Sequence, residues 1–427
     1  DMLMQQQLLI IVLGMLPAVV GGAPPLVLTR IDEDLAGQMG AYCLDGSLPG
    51  FWFAPAQSPE FNSSWIIYLQ GGGFCATPGD CADRATGDLG SSNGWEDTQT
   101  LGGIMNDDPA INPAFSQFNR VHVGYCDGWF FASNREGTVT TPDGSQVKEI
   151  HLRGRSNLEA VLHVLDGMGL SSATELVLGG GSAGATATLK HADYLYNRYP
   201  GVKFGAVPVS GVFPLHPDFQ GSMGFWDVVL QAQDFHNSTQ AGMGGNKCLE
   251  VLKGDPMCGM PNYSYAFLEP PVFVFNSAVD LYALENIWKG DVDCVETGFQ
   301  NCTPDAIDDI NAWGYSFYDT ISTSGPTFNK LGNGAFIDSC LEHCAPESTN
   351  AFTGITQDGV AMNAAVSSWW SSGFKEAADA HTYLPCPLNE QPPHLCNPTC
   401  DSVNQADLRG KHAYRTPLAV PGSSEDA

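Results

Sequence analysis

Glu175-Leu176-Val177-Leu178-Gly179-Gly180-Gly181-Ser182-Ala183-Gly184 is an apolar run that ends in a glycine-flanked serine, and a stretch of helical character follows it. A strand, a Gly-x-Ser-x-Gly turn and a helix form the setting in which a nucleophilic serine projects its hydroxyl above a sheet. Only small neighbours allow strand and helix to approach that closely. In a chain with 48 glycines the pentapeptide alone carries little weight. Its surroundings supply the rest: a second Gly-rich turn after an earlier strand, and an acid and a histidine downstream in the right order.

Trp65-Ile66-Ile67-Tyr68-Leu69 is continuously apolar, as expected of a strand buried on both faces, and it ends at Gln70-Gly71-Gly72-Gly73. Residues 121–125, 207–213 and 271–278 read as further strands, and residues 41–50 as an early strand and turn. Ser156 with Glu159 fits a capping box for a helix whose Leu158, Val161, Leu162 and Leu165 share one face. A second helix is predicted from residue 183 to about 197, stopped by Pro200-Gly201. Strands alternating with helices predict an α/β fold with a doubly wound, mostly parallel sheet. Residues 215–270, loop-rich with scattered aromatics, read as an insertion over that sheet. No internal repeat is visible.

The chain has 427 residues, 43% of them apolar and 10% aromatic, enough for one large elaborated domain over residues 24–406. Its 18 basic residues against 47 acidic leave a formal charge of -29, which excludes a nucleic-acid-binding face. Residues 1–23 read as a signal peptide: the apolar stretch 8–20 ends in Val20-Gly21-Gly22-Ala23, and Pro17 breaks it short of a membrane span. The missing basic n-region predicts that the natural chain starts a few residues earlier. No other apolar run is long enough to span a bilayer. In an exported chain, 13 cysteines read as a disulfide framework with one odd thiol. Cys75, Cys81, Cys126, Cys340, Cys344, Cys386, Cys396 and Cys400 belong to that framework. Spacing suggests Cys75 with Cys81, Cys248 with Cys258, Cys294 with Cys302 and Cys396 with Cys400, while connectivity stays open. Asn62, Asn237, Asn262 and Asn301 begin glycosylation sequons. Residues 407–427 read as a disordered tail. A monomer is expected.

A serine hydroxyl needs a base to take its proton as it attacks, usually a histidine held in one tautomer by a carboxylate. In the α/β-hydrolase fold these follow in the order Ser, acid, His, on loops beyond later strands. Asp280 lies two residues past the run 271–278, and His343 lies further downstream, so Ser182, Asp280 and His343 fit. Alternatives stand beside each. Asp280 fits a helix N-cap, Asp338 is a rival acid, and Cys340-x-x-His343-Cys344 fits zinc spacing although oxidised cysteines suit an exported chain better. An ester's tetrahedral intermediate needs backbone N–H donors: one follows the nucleophile, here Ala183, and another comes from a Gly-rich loop, here Gly72 and Gly73.

Residues 65–75 (WIIYLQGGGFC), Tyr125-Cys126-Asp127-Gly128, Gly181-Ser182-Ala183-Gly184 and residues 336–344 together resemble the successive motifs of the pectin acetylesterase and Notum family of secreted carboxylesterases. The likeness runs from about Tyr42 to Cys400. It implies a secreted α/β-hydrolase with the triad Ser182, Asp280 and His343, and with no metal or organic cofactor. Plant members have Trp where this chain has Phe74, Cys where it has Gly181 and Gly where it has Ala185. No triad group or backbone donor is lost, but the acyl pocket, with Phe74 in it, is altered. The expected activity is hydrolysis of an O-acyl ester, foremost acetyl on pectin or another cell-wall polysaccharide. A Notum-like fatty-acyl esterase is the second reading, which a deep cavity lined by Phe, Trp and Leu would favour. A catalytically inactive secreted binding glycoprotein is the third. Strong acidity counts against a highly de-esterified, polyanionic pectin.

Overall fold

Every residue of the run Ser64–Leu69 is buried, and its side chains divide between two cores. Ile67 and Leu69 point to one, Ile66 and Tyr68 to the other. This is the two-residue period of a strand covered on both faces. The protein is described by a computed structural model over residues 24–322, 332–374, 383–384 and 393–400. The signal-peptide and tail readings, and Cys386, fall outside the described residues.

In chain order the strands are β1 (Leu26–Arg30), β2 (Gly50–Ala54), β3 (Ser64–Leu69), β4 (Thr98–Gln99), β5 (Asn119–Val123), β6 (Thr138–Thr140) and β7 (Glu149–His151). They continue with β8 (Glu175–Gly181), β9 (Lys203–Val209), β10 (Phe273–Ser277), β11 (Gly334–Asp338), β12 (Thr356–Gln357), β13 (Val360–Ala361) and β14 (Tyr383–Leu384). One sheet takes ten of them in the order β14-β11-β10-β9-β8-β3-β5-β2-β1-β4. The strands from β14 to β5 are parallel, and β2, β1 and β4 extend the far edge antiparallel. The chain leaves β3 toward β5 and then crosses back to lay β8 on the other side of β3. Such a switch point opens a crevice at the carboxyl ends of the strands, and both Gly-rich turns fall there.

The helices α1 (Glu33–Met39), α2 (Pro78–Arg84), α3 (Gly154–Gly167), α4 (Ala183–Arg198) and α5 (Gly224–Phe235) come first. Leu158, Val161, Leu162 and Leu165 of α3, with Leu189 and Leu195 of α4, cover one face of the sheet. Phe352, Val366, Trp369 and Trp370, from the helices Thr349–Gly354 and Met362–Ser371, cover the other against Phe273, Phe275 and Phe336.

Several expectations shift. Residues 41–49 form turns and loop, and the strand starts only at Gly50. Ser156 is not the cap of α3, which begins at Gly154 behind Arg153. The Arg153 carbonyl already accepts from the Asn157 amide at 2.9 Å, so the first helical turn begins ahead of Ser156. The Ser156 hydroxyl instead accepts from Arg153 at 2.8 Å, and Glu159 pairs with Arg155 and Arg198 at 2.8 and 3.1 Å. Residues 215–270 carry α5 and the short helices Lys247–Val251 and Pro261–Ser264. The 19-residue helix Pro304–Ser322 had no counterpart in the sequence reading. Among the described residues no helix is long and apolar enough to cross a membrane.

Disulfides join Cys43 to Cys126, Cys75 to Cys81, Cys248 to Cys258, Cys294 to Cys302 and Cys340 to Cys400. The suggested Cys396–Cys400 pair is wrong. Residues 393–400 fold back over the end of β11, where the Asn397 amide donates to Ser339 Oγ at 3.0 Å, and this brings Cys400 to Cys340, 60 residues away. Cys396 is disulfide-bonded elsewhere, and Cys344 is the free, buried thiol.

The turn from β8 into α4 rests on glycines. A Cβ on Gly184 would strike the Leu69 carbonyl of β3, and one on Gly180 the Gly184 carbonyl. Neither obstacle is a flexible side chain. Gly184→Ala should therefore cost about 3 kcal/mol or more, as forced overpacking does, read as a lower urea midpoint at unchanged slope.

Candidate active site

Ser182 has φ 54° and ψ -120°, a conformation that L residues rarely adopt. Its N–H donates to the Val209 carbonyl of β9 at 2.8 Å, while its own carbonyl accepts from Ala185 at 2.9 Å. Backbone bonds on two sides thus hold a strained residue at the strand end, and its partly exposed side chain faces a crevice. Gly211 packs against this turn so closely that a Cβ there would lie 2.6 Å from the Ser182 carbonyl.

Asp280 follows β10 and His343 follows β11, adjacent parallel strands in register from Phe273–Gly334 to Ser277–Asp338. Their side chains meet: His343 Nδ1 lies 2.8 and 3.0 Å from the two Asp280 oxygens. Both residues are buried, at 6% and 1% exposure. Donation from Nδ1–H leaves the lone pair on Nε2, the arrangement a general base requires. Asp280 also accepts from the Ala283 amide at 3.1 Å, so the N-cap reading and the acid reading describe one side chain. Asp338, the rival acid, accepts from the Cys340 amide at 2.8 Å instead. Burial, with Asp280 adding repulsion, pushes its carboxyl up to about 7. Burial also raises Glu342 well above the carboxylate range.

The Tyr282 ring stacks on His343, centroids 5.3 Å apart, and lines the same crevice as Ser182. Cys344, next to His343, lies against the serine turn, since a Cβ on Gly181 would come 3.2 Å from its sulfur. Tyr282 and Cys344 thus link the imidazole's surroundings to the crevice and the serine turn.

Gly73 and Ala183 line that opening, while Gly72 stands one residue back. Gly72 and Gly73 have φ 134° and 67°, accessible without strain only to glycine. Ala183 starts α4, where the first N–H groups have no partner within the helix. Phe74, Phe130, Phe213, Phe225, Trp226 and Met260 form the wall of the crevice. Phe74 is where sequence reasoning placed it. Phe130 comes from the loop after Asp127, Phe213 from the segment just after β9, and Phe225, Trp226 and Met260 from the 215–270 insertion, whose scattered aromatics were the one available signal.

Behind Phe74 lies a polar cluster that sequence reasoning missed. The Phe74 ring meets Trp129 edge-on at 5.2 Å, and Trp129 stacks on His236 at 5.0 Å. His236 bridges the Cys75 carbonyl, 2.8 Å from Nε2, and Ser133 Oγ, 2.9 Å from Nδ1. Ser133 reaches Asp127, which also accepts from the Trp129 and Phe131 amides at 3.1 and 3.2 Å. Burial pushes Asp127 up to about 6 and His236 down to about 3.

Other candidate sites do not assemble. Cys340 is in a disulfide, which leaves the Cys340, His343, Cys344 set one thiol short of the zinc spacing. Cys75, Cys81 and His236 have metal-ligand spacing, but the two sulfurs bond each other. Asn62, Asn237 and Asn301 are exposed. Asn262 is half-buried, and the amide orientation that satisfies its neighbours donates to the Phe213 carbonyl at 2.8 Å and accepts from the Leu215 amide and the Thr320 hydroxyl.

Sheet, switch-point crevice and serine turn together are those of an α/β-hydrolase, and the chain is a hydrolase of carboxylic esters. A family model described as pectinacetylesterase matches residues 28–401, and the chain belongs to that family. Pectin acetylesterase 5 of Arabidopsis thaliana is 29% identical over 394 residues, covering 87% of this chain and 84% of the relative. Human palmitoleoyl-protein carboxylesterase Notum is 29% identical over 196 residues, 44% of this chain and 37% of its own. The crystal structure of the Wnt deacylase Notum from Drosophila superposes with a TM-score of 0.69 at 21% identity, over 88% of this chain and 99% of that one.

An unfolded histidine titrates near ~6.5, whereas His236 in the fold titrates at about 3. Between these values the unfolded chain binds the extra proton, so the group's contribution is present above ~6.5 and lost as pH falls. The stability advantage of wild type over His236→Asn should narrow by up to ~1.4 kcal/mol per pH unit below pH ~6.5 in urea titrations. A constant gap would show His236 to be solvated.

Proposed function

We propose that the chain is a serine esterase in which Ser182 attacks the acyl carbon, His343 takes and returns the proton, and Asp280 holds the imidazole. The observation that carries this reading is the Asp280–His343 pair at 2.8 Å, stacked on the Tyr282 ring that lines the crevice holding Ser182 at φ 54°. Attack forms the Ser Oγ–acyl bond as His343 Nε2 accepts the serine proton. The tetrahedral intermediate then expels the alcohol, which leaves with that proton. Water, deprotonated by the same nitrogen, cleaves the acyl-enzyme and regenerates the hydroxyl. Ala183 and the Gly72–Gly73 loop supply N–H groups to the oxyanion.

The substrate we favour is an O-acetyl ester on pectin or another extracellular polysaccharide, supported by the family and by the Arabidopsis relative. The disulfides joined among the described residues suit work outside the cytosol. The expected working form is a monomer. A second reading, cleavage of a long acyl chain, is favoured by the wall of Phe130, Phe213, Phe225, Trp226 and Met260. Such a wall stabilises added methylenes by ~0.8 kcal/mol each, whereas acetyl would leave most of it untouched.

Ser182→Ala and His343→Ala should lower kcat by ~10⁴-fold or more, with folding intact by circular dichroism. Asp280→Asn should lose ~10⁴-fold. The ratio of kcat/KM for p-nitrophenyl octanoate over acetate decides the acyl group: below one favours acetyl, well above one the longer chain. Full activity in Ser182→Ala, or no labelling of Ser182 by a fluorophosphonate, would leave the inactive binding protein.

A further inference from the structure

Arg84 ends α2 and makes no ion pair among the described residues, in a chain with 47 acidic and 18 basic residues. Its guanidinium is directed at backbone carbonyls instead. Nη2 donates to the Gly72 carbonyl at 2.7 Å, and Nε donates to the Leu89 carbonyl at 3.0 Å. The group also sits over the Tyr125 ring, 5.1 Å from its centroid.

The Gly72 carbonyl and the Gly73 N–H belong to one peptide group. No peptide bond here is cis, so that N–H points away from the carbonyl and hence away from Arg84. Gly73 lines the crevice, and Arg84 is not among the residues that line it. A cation bonded to the oxygen of an amide draws electron density toward that oxygen and strengthens the N–H as a donor. The next peptide is treated similarly: the Tyr125 hydroxyl donates to the Gly73 carbonyl at 2.9 Å and accepts from the Phe130 amide at 3.0 Å. The loop is fixed from behind at Cys75 too, where N–H donates to Gly128 and the carbonyl faces His236. The Cys75–Cys81 disulfide attaches this loop covalently to the helix that carries Arg84.

We propose that Arg84 is a positioning residue for catalysis: through the Gly72–Gly73 peptide it orients and polarises the N–H that receives the oxyanion. The proposal rests on the serine-esterase reading and adds to it a group outside the crevice. Its guanidinium acts at one remove from the substrate. It matters when negative charge develops on the acyl oxygen and little before, so it should affect the transition state more than substrate binding.

The test compares wild type with Arg84→Met, which keeps length without charge, and Arg84→Lys, which keeps charge. Two readouts are steady-state ester hydrolysis and inhibition by an alkyl boronic acid, which binds serine as a tetrahedral anion. Arg84→Met should lose ~10- to 100-fold in kcat with KM little changed, less than the ~10²- to 10³-fold of deleting a donor outright. Its boronate affinity should fall by a similar factor, and Arg84→Lys should lie between the two on both measures. Loss confined to KM, or unaltered boronate affinity, would overturn the proposal. If Arg84→Met does not fold by near-ultraviolet circular dichroism, the same comparison on Arg84→Lys decides. Ser182→Ala separates the two ideas. If it still hydrolyses ester, the esterase reading is the one that fails. If it is inactive while the Arg84 variants bind boronate as wild type does, only the role of Arg84 fails.

Discussion

The constraint on which the rest depends is the contact of bare backbone between β3, β8 and α4. Ser182 holds φ 54° only because strand and helix meet without side chains between them. Gly180 and Gly184 close the turn, Gly71 and Gly211 let the neighbouring loops come against it, and none has room for a Cβ. Strain of this kind costs of order 1–3 kcal/mol and persists only where the surroundings over-determine it. The surroundings here are the buried parallel strands β3, β8 and β9, which fix the ends of the turn.

Around that turn the protein places more buried acid than a triad needs. Asp280, Asp338 and Glu342 lie near one another, and Glu347 accepts from the Tyr68 hydroxyl at 2.9 Å close to Gly181. Burial drives Asp338 and Glu342 toward their neutral forms, which relieves like-charge repulsion beside the His343 partner. The polar cluster of Asp127, Ser133 and His236 has a different task. It fixes the loop that carries Trp129 and Phe130, and with it the Phe74 ring.

The proposed triad and the crevice wall come from different layers. Ser182, Asp280 and His343 follow the ends of the parallel strands β8, β10 and β11, where a rigid scaffold sets their positions. Phe225, Trp226 and Met260 come from the insertion across the crevice. The Asn262 amide connects that insertion to the Phe213 carbonyl, so a sequon asparagine serves as a brace for the wall. Such a division lets one chemistry accept different acyl groups as the insertion changes, consistent with a family that contains both acetylesterase and Notum relatives.

Local chemistry was readable from the chain itself. The apolar runs at 65–69 and 176–178 marked strands because short continuous apolar stretches bounded by Gly-rich turns suit strands buried on both faces. Gly-x-Ser-x-Gly marked its turn because only glycine tolerates the approach, and the order of Ser182, Asp280 and His343 followed from strands alternating with helices. What tertiary structure decided was everything set by contacts across the sequence. It chose Asp280 over Asp338 through register between β10 and β11, and Cys340 over Cys396 as the partner of Cys400. It moved the start of α3 to Gly154, and it turned Arg84 onto a carbonyl rather than a carboxylate. Spacing along the chain reports which residues are near in sequence, whereas these outcomes depend on which strand ends the packed sheet brings side by side.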